Sequence, residues 1–509
     1  MFSKAFSAAI HGIDGLIVSV EADVSDGLPI FDMVGYLGSE VKEARERVKI
    51  ALKNSGYQLP AKRLTVNLSP ADIRKEGTAF DLPVAIAILA AFGYIPEENL
   101  KNVLIAGELS LNGTIRRVNG VLPIVYAAQQ QGFGKCIVPM ENAKEGAVVA
   151  GIETYGVENL NQAVELLNGK GEFQPEFVDV NQLFTKQWED ELDFSEVSGQ
   201  KAAKRAIEIA VSGMHNILMI GPPGSGKTML AKRIPSIMPE LSFEESMEIS
   251  KIYSIAGLMD AKGLISKRPF RSPHHSITQT ALVGGGMIPK PGEISLAHLG
   301  VLFLDELPEF QKNTLEVLRQ PLEEKSVTIA RLNASYRYPA GFMMVASMNP
   351  CNCGYYPDRN ICHCTLNQVK RYLGKISQPL LDRFDLCIEA LRINYQDLEG
   401  KVQEEKSSEI RKRVQRARKI QLERYQNQNI FFNSQLTPKT IKKYCKLGSK
   451  EQSILEQAFI KMNLSARAYH RILKVARTIA DLEGCETIGV KHLSEAICYR
   501  NLDQKYWGE

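Results

Sequence analysis

No stretch of this chain holds eighteen uninterrupted apolar residues, so no segment reads as a membrane-spanning helix. The first residues are mildly apolar, but His11 and Asp14 interrupt them and only Lys4 supplies a basic start. That is a poor secretory leader. Internal repeats and long low-complexity tracts are also missing, which excludes repeat architectures. An excess of one charge is missing as well. The net charge of +4 is too small to argue for a nucleic-acid partner, although a basic stripe can hide in a balanced total. Nine cysteines are present, but five are scattered and four fall within fourteen residues. A secreted disulfide framework does not look like that. The expectation is a soluble protein in a reducing cytoplasm, with no membrane partner.

The chain has 509 residues and is 44% hydrophobic, enough for two to four ordinary domains. Residues 1–170 alternate β-like runs (Leu16 to Val20, Leu64 to Leu68, Val103 to Ala106, Cys136 to Val138) with helical ones (Ser39 to Asn54, Pro83 to Ala91, Leu122 to Gln131). This predicts an α/β domain. Residues 171–192 are polar and aperiodic, with an acidic cluster at Glu189-Asp-Glu191, and read as a linker. Strands and helices alternate again over 193–395, which predicts a parallel-sheet nucleotide-binding domain. From 396 to 509 the chain turns helical, with Ile410, Val414, Ala417 and Ile420 on one helical face.

Residues 221–228 read Gly-Pro-Pro-Gly-Ser-Gly-Lys-Thr and follow the apolar run Asn216 to Ile220. This is a phosphate-cradling loop after a strand. Gly221, Gly224 and Gly226 let backbone N–H groups approach phosphates without a Cβ in the way. Pro222, Pro223 and Ser225 complete the loop. The helix that follows presents its positive end. Lys227 is suited to the β- and γ-phosphates of ATP, and Thr228 offers a hydroxyl to Mg²⁺.

Val301 to Glu306 is a buried-type strand ending in two carboxylates. Asp305 is placed to hold Mg²⁺, and Glu306 to orient and deprotonate the attacking water. A second such strand, Phe342 to Ser347, ends near Asn349, where a polar side chain can position that water. In Leu380-Leu-Asp-Arg-Phe-Asp385, Arg383 either reaches a γ-phosphate held by a neighbouring subunit or pairs with Asp382 or Asp385. Ser465 reads as an N-cap. Arg467 then falls in a first helical turn, where the dipole disfavours a cation unless a phosphate is near.

Cys351, Cys353, Cys362 and Cys364 put four thiols on one short loop. Four thiolates suit tetrahedral, structural Zn²⁺ and leave no open catalytic position. Val327 to Pro339 reads as a hairpin whose Arg331, Arg337 and Tyr338 are candidates for phosphate and base contacts with DNA. Lys267, Arg268 and Arg271 form a second candidate, in a glycine-rich segment, Ile252 to Gly286, that reads as an insertion loop. The basic run Arg411 to Lys419 keeps helical period and reads rather as a solvated face.

With these motifs in order, the chain resembles the magnesium-chelatase-like branch of the AAA+ ATPases, and within it the competence-type ComM/YifB family. The segments that carry the resemblance are Val197 to Lys201, Arg268 to His275, Pro291 to His298, Leu318 to Glu323, Asn349 to Gly354 and Arg477 to Leu482. It implies an AAA+ P-loop core with a C-terminal helical lid, and Gly199 and Gln200 beside the nucleotide. It also implies Asn349 as sensor 1, Arg383 as arginine finger and Arg467 as sensor 2. The assembly it implies is a homo-hexameric ring acting as an ATP-driven branch-migration helicase on single-stranded and branched DNA. That activity serves recombination during natural transformation, alongside a recombinase partner. A metal-chelatase ATPase subunit and a non-motor DNA-binding scaffold are the alternatives. Residues 1–170 resemble the Lon protease-like domain, with Ala79 where the nucleophilic serine is expected and Leu122 where the base lysine is expected. Neither can do that chemistry, so a catalytically dead domain is expected.

Overall fold

The computed structural model describes residues 1–507 except 186–191, 287–288, 331–334, 393–403, 427 and 429. It is a mixed α/β structure with a parallel sheet and a helical C-terminal part. Among the described residues no helix is long and apolar enough to cross a membrane.

The N-terminal part is built on β1 (Phe2–His11), β2 (Asp14–Ser25), β3 (Phe31–Val34), β4 (Arg63–Ser69), β5 (Val103–Ile105), the short pair β6 (Glu108–Leu109) and β7 (Ile115–Arg116), β8 (Lys135–Pro139) and β9 (Glu153–Val157). Seven of them form one sheet in the order β3-β4-β2-β1-β5-β8-β9. The helix Asp81–Ala91 is buried nearly all round, because its sequence offers no polar face to water. The sequence did not announce β1. Its small residues have weak strand propensity, and its place is set by ten antiparallel pairs with β2.

The expected linker is only partly aperiodic. Val180–Thr185 is helical, and Val178, Val180, Leu183 and Phe184 pack on the N-terminal core. The acidic cluster lies outside the described residues.

The central part carries β10 (Ile217–Ile220), β11 (Phe270–Arg271), the mini-hairpin β12 (Gly284–Gly285) and β13 (Lys290–Pro291), β14 (Val301–Leu304), the hairpin β15 (Ser326–Ala330) and β16 (Ser335–Pro339), β17 (Met343–Met348) and β18 (Leu386–Glu389). The sheet order is β11-β14-β17-β10-β18, all parallel. Every residue of β10, β14 and β17 is buried, as expected for strands covered on both faces. The glycine-rich segment is not simply an insertion loop. It begins in the helix Phe243–Ala256, capped by the Ser242–Glu245 box, and contains β11, the outer strand of the sheet.

Among the described residues the helical region shares its core with the sheet. Ile410, Val414, Ile472, Ile479 and Leu493 join one apolar cluster with Ile217, Met219, Val301 and Val345. The N-terminal part is also tied down. The Gly120 N–H donates to the Ser254 carbonyl at 3.1 Å, Arg117 Nη2 donates to the Met259 carbonyl at 2.9 Å, and the Ser254 hydroxyl bonds the buried Glu145 carboxylate.

Candidate active site

β10 ends at Ile220 and the helix Lys227–Ile237 starts at Lys227, so residues 221–226 must turn the chain in one tight loop. Gly224 (φ 75°) and Gly226 (φ 81°) take left-handed backbone, which a Cβ disfavours. Gly221 is small for another reason: a Cβ there would stand 2.2 Å from the Ala390 carbonyl oxygen. Among the described residues no side chain caps the helix, which leaves its first-turn N–H groups to an anion.

Lys227 Nζ folds back on its own loop. It donates to the carbonyls of Gly221 (2.8 Å) and Pro222 (2.9 Å), and lies 3.3 Å from both Ser225 Oγ and Asn349 Oδ1. Burial pulls its pKa down to about 8, although Asp305 and Glu306 pull the other way. A bound triphosphate would favour the ammonium form. Binding of Mg·ATP at alkaline pH should therefore take up a proton at Lys227. Calorimetry at pH 8.5, repeated in buffers of different ionisation enthalpy, should give different apparent enthalpies. The gap should shrink at pH 7, where Lys227 is already protonated. A gap of equal size at both pH values would contradict the assignment.

The Thr228 hydroxyl donates to Asp305 Oδ2 at 2.8 Å. The other oxygen of Asp305 accepts from the Ser347 hydroxyl and from the Glu306 N–H at 3.1 Å. Thr228 and Asp305 are hard oxygen donors, a set that fits Mg²⁺. Sequence reasoning missed Ser347, whose only signal was a hydroxyl in an otherwise apolar run. Glu306 has φ 52°, a costly conformation for a residue with a Cβ and one that recurs at functional positions. Its side chain is 63% exposed, with His275 Nδ1 4.0 Å from the carboxylate. Met348 pairs with Ile220, so Asn349 stands beside the start of the phosphate loop. Gln200 Nε2 bridges the carbonyls of Ser225 (3.0 Å) and Leu391 (2.6 Å), and the Gly199 N–H donates to Glu404.

Arg383 is at the other end of the same strand. Leu386 pairs with Ile217, the first residue of β10, and Asn216 Nδ2 donates to the Arg383 carbonyl at 2.9 Å. Four strand residues, about 13 Å at strand rise, separate it from the phosphate loop. Its side chain is 6% exposed and paired with Glu323, rather than with Asp382 or Asp385, the alternative partners the sequence offered. Its other donors go to the carbonyls of Pro379 and Arg319. Ser465 caps the helix Ala466–Leu482, and Arg467 is exposed in its first turn. Burial depresses the Arg383 pKa, and Arg319, Arg467 and Arg471 add to that effect. Arg467 stands one turn before Arg471, whose guanidinium is 3.4 Å from Asp385, and so lies at the Arg383 end of the molecule.

Family models match this chain in three blocks. "Magnesium chelatase, subunit ChlI" covers residues 193–398, "Subunit ChlI of Mg-chelatase" covers 20–142, and the C-terminal model of that subunit covers 404–500. Competence protein ComM of Haemophilus influenzae is 44% identical over 497 residues, 97% of this chain and 96% of that protein. The uncharacterized protein YifB of Escherichia coli is 43% identical over 505 residues, 99% of this chain and 97% of that protein. The chain belongs to the magnesium-chelatase-like ATPases of the ComM/YifB type. An ATP-binding AAA+ core comes with membership of this family. Lon protease 2 of Bacillus subtilis is 30% identical over 146 residues, 28% of this chain and 26% of that protein.

The cysteine loop of this ComM/YifB-type chain gathers its thiols. The sulfur of Cys351 is 3.3 Å from that of Cys353 and 3.8 Å from that of Cys362, and Cys353 and Cys362 are 3.5 Å apart. Cys364 completes the cluster. Tetrahedral sulfurs around Zn²⁺ would stand about 3.8 Å apart at a Zn–S distance of about 2.3 Å, so the donor set fits. Burial opposes ionisation of Cys353, but the Tyr355 N–H and the neighbouring thiols outweigh it and bring its pKa down to about 6. A second cluster, Glu483, Cys485 and His492, fits less well. His492 Nδ1 accepts from the Gly489 N–H. That places the proton on Nε2, the atom facing Glu483 at 3.0 Å.

The DNA candidates divide. Tyr338 is buried, and its hydroxyl donates to the Pro289 carbonyl at 2.9 Å, so it is not available to stack on a base. Arg268 is buried too, committed to Glu245 and to the carbonyls of Pro239, Leu299 and Glu240. Its role is to brace the ATPase core. Arg271 is held by two bonds to Glu293, at 2.6 and 2.7 Å. Arg337 and Lys267 are exposed. Arg331 lies outside the described residues. In the basic run, Arg413 pairs with Glu208 and Glu405, and Arg418 with Glu245. These charges are therefore already engaged within the chain. Ala79 lines a cavity of about 220 Å³ that Ile255, Tyr336 and Tyr338 close from the ATPase side. Leu122 is fully buried, with its N–H bonded to Glu145.

Proposed function

We propose that this protein is an ATP-driven DNA translocase that works as a homo-hexameric ring and promotes branch migration of recombination intermediates. The observation that carries the ring is the placement of Lys227 and Arg383 beyond opposite ends of β10. One chain cannot bring both to one triphosphate, whereas adjacent chains in a ring can. In this reading Lys227 and the loop N–H groups bind ATP, Glu306 takes the proton of the attacking water and Asn349 orients that water. Arg383 and Arg467 serve the neighbour's site. Mg²⁺, held through Thr228 and Asp305, would neutralise charge on the phosphates. The DNA assignment is supported by near-full-length similarity to a competence protein.

Single-stranded DNA should stimulate ATP hydrolysis, and a three-stranded substrate should be resolved only with hydrolysable ATP. Absence of both effects would sink the motor. The family models carry the name of a magnesium chelatase, so the second reading is ATP-dependent Mg²⁺ insertion into a porphyrin. Porphyrin-dependent ATP turnover with no response to DNA would favour it.

The N-terminal part acts in this reading as a peptidase-dead mounting domain, since Ala79 and Leu122 supply neither nucleophile nor base. The cysteine loop holds structural Zn²⁺ that stiffens the segment after Asn349. Purified protein should contain about one zinc per chain, measured by atomic absorption under reducing conditions. Cys362→Ser should lose the metal and lower the thermal midpoint. Well under one zinc per chain would reject this assignment.

A further inference from the structure

The Arg383 end of the sheet opens into a cleft of about 340 Å³ between the ATPase strands and the helical region. Lys325, Arg383, Arg471 and Lys474 line it, against the carboxylates of Glu323 and Asp385. Both carboxylates are already engaged. Glu323 holds Arg383. Asp385 accepts the Asn216 N–H and lies 3.4 Å from both His215 Nδ1 and Arg471 Nη1. Lys474 donates to the Ser434 carbonyl at 2.8 Å.

Four cations line the cleft against two carboxylates, so counter-charge is short. Among the described residues the Lys325 ammonium has no ion-pair partner, and the buried Arg471 Nη1 has no hydrogen bond. Burial pulls Lys325 down to about 8 and lowers Arg471 and Lys474 as well. Arg467, Arg471 and Lys474 follow one another at helical spacing on the helix Ala466–Leu482, so they share a face. Cations gathered away from water with too few anions to match them destabilise the isolated chain. An entering oxyanion would reverse that effect through charge-assisted hydrogen bonds.

We propose that Lys325, Arg471 and Lys474 form an oxyanion subsite beside Arg383. It takes a phosphoryl group, carried either by the nucleotide of a second copy of this chain or by free inorganic phosphate. The first source rests on the ring reading; the second does not.

The test has two arms. The first uses full-length Lys227→Ala protein without nucleotide, so that the phosphate loop does not compete. Inorganic phosphate should raise its thermal midpoint saturably. In that background Lys325→Asn and Lys474→Gln should each weaken phosphate binding by about tenfold or more, and Lys53→Gln should not. Asparagine tolerates the left-handed backbone at 325 (φ 55°). The two variants lie on different elements, so one local folding defect cannot imitate the result.

The second arm mixes Lys227→Ala chains with otherwise wild-type chains carrying Lys325→Asn. Lys227→Ala is expected to be inactive alone; Lys325→Asn is inactive alone only if the subsite serves a neighbour's nucleotide. Recovery of ATP turnover on mixing assigns the subsite to a neighbour's nucleotide. Loss of phosphate binding with ATP turnover kept by Lys325→Asn alone assigns it to free phosphate. Unchanged phosphate affinity in both lysine variants, with full ATP turnover, overturns the proposal. Mixing Lys227→Ala with Arg383→Ala tests the ring itself. Recovery there, with unchanged phosphate affinity in the lysine variants and full turnover by Lys325→Asn alone, rejects the subsite and keeps the ring. No recovery in either pair rejects the ring, and the phosphate arm then decides the subsite alone.

Discussion

Arg383→Ala should lower ATP turnover by about 10³-fold or more while leaving nucleotide affinity within a few-fold of the parent chain. The expectation follows from position. The residue lies by the first residue of β10, and the phosphate loop leaves the last, so the substitution cannot disturb binding in its own chain. Arg383 also has local work. Its guanidinium is paired with Glu323 and two carbonyls, so the variant is expected to melt earlier. Glu323→Gln separates the two effects. It removes the ion pair and keeps the guanidinium, and it should retain most of the turnover. Equal losses in both variants would make Arg383 a structural residue. Turnover within about tenfold of the parent in Arg383→Ala would remove it from the catalytic set.

The parts legible in the sequence are those where chemistry and local geometry coincide. The phosphate loop is contiguous, and both Asp305 and Asn349 follow apolar runs that the sheet buries. Tertiary pairing governs the rest. β11 has two residues and is recognisable only by its pairing with β14. The hairpin shows an error that strand geometry corrects. Successive side chains of a strand point to opposite faces, so Arg337 and Tyr338 cannot both enter a pore. Tyr338 goes into the core and Arg337 stays outside. Tyr336, on the Tyr338 face, meets the His11 ring at 5.1 Å, so the hairpin links the N-terminal part to the strand that ends near Asn349. The cationic cleft was illegible for a different reason: Lys325, Arg383 and Arg471 come from distant segments and meet only in the fold.

Glu306→Gln should abolish hydrolysis by about 10²–10⁴-fold and leave Mg·ATP bound. The substitution keeps volume and hydrogen-bonding reach but removes the proton acceptor. Stability should not change, because glutamine meets the same strained backbone at φ 52° and the mostly exposed side chain gives up little packing. Asp305 is a poor substitute base. Its oxygens are occupied by Thr228, Ser347 and the Glu306 N–H, and deprotonating water would require breaking that arrangement. The variant should therefore form ATP-bound assemblies that bind DNA and make no product, seen as retained labelled ATP after gel filtration and no phosphate formed in a single-turnover experiment. A Lys227→Ala chain should fail one step earlier, with no retained nucleotide. If Glu306→Gln hydrolyses ATP at more than about a tenth of the parent rate, the base is a group other than Glu306. Retained ATP with lost hydrolysis would instead place the proton transfer at the end of β14, level with Lys227 and across β10 from Arg383.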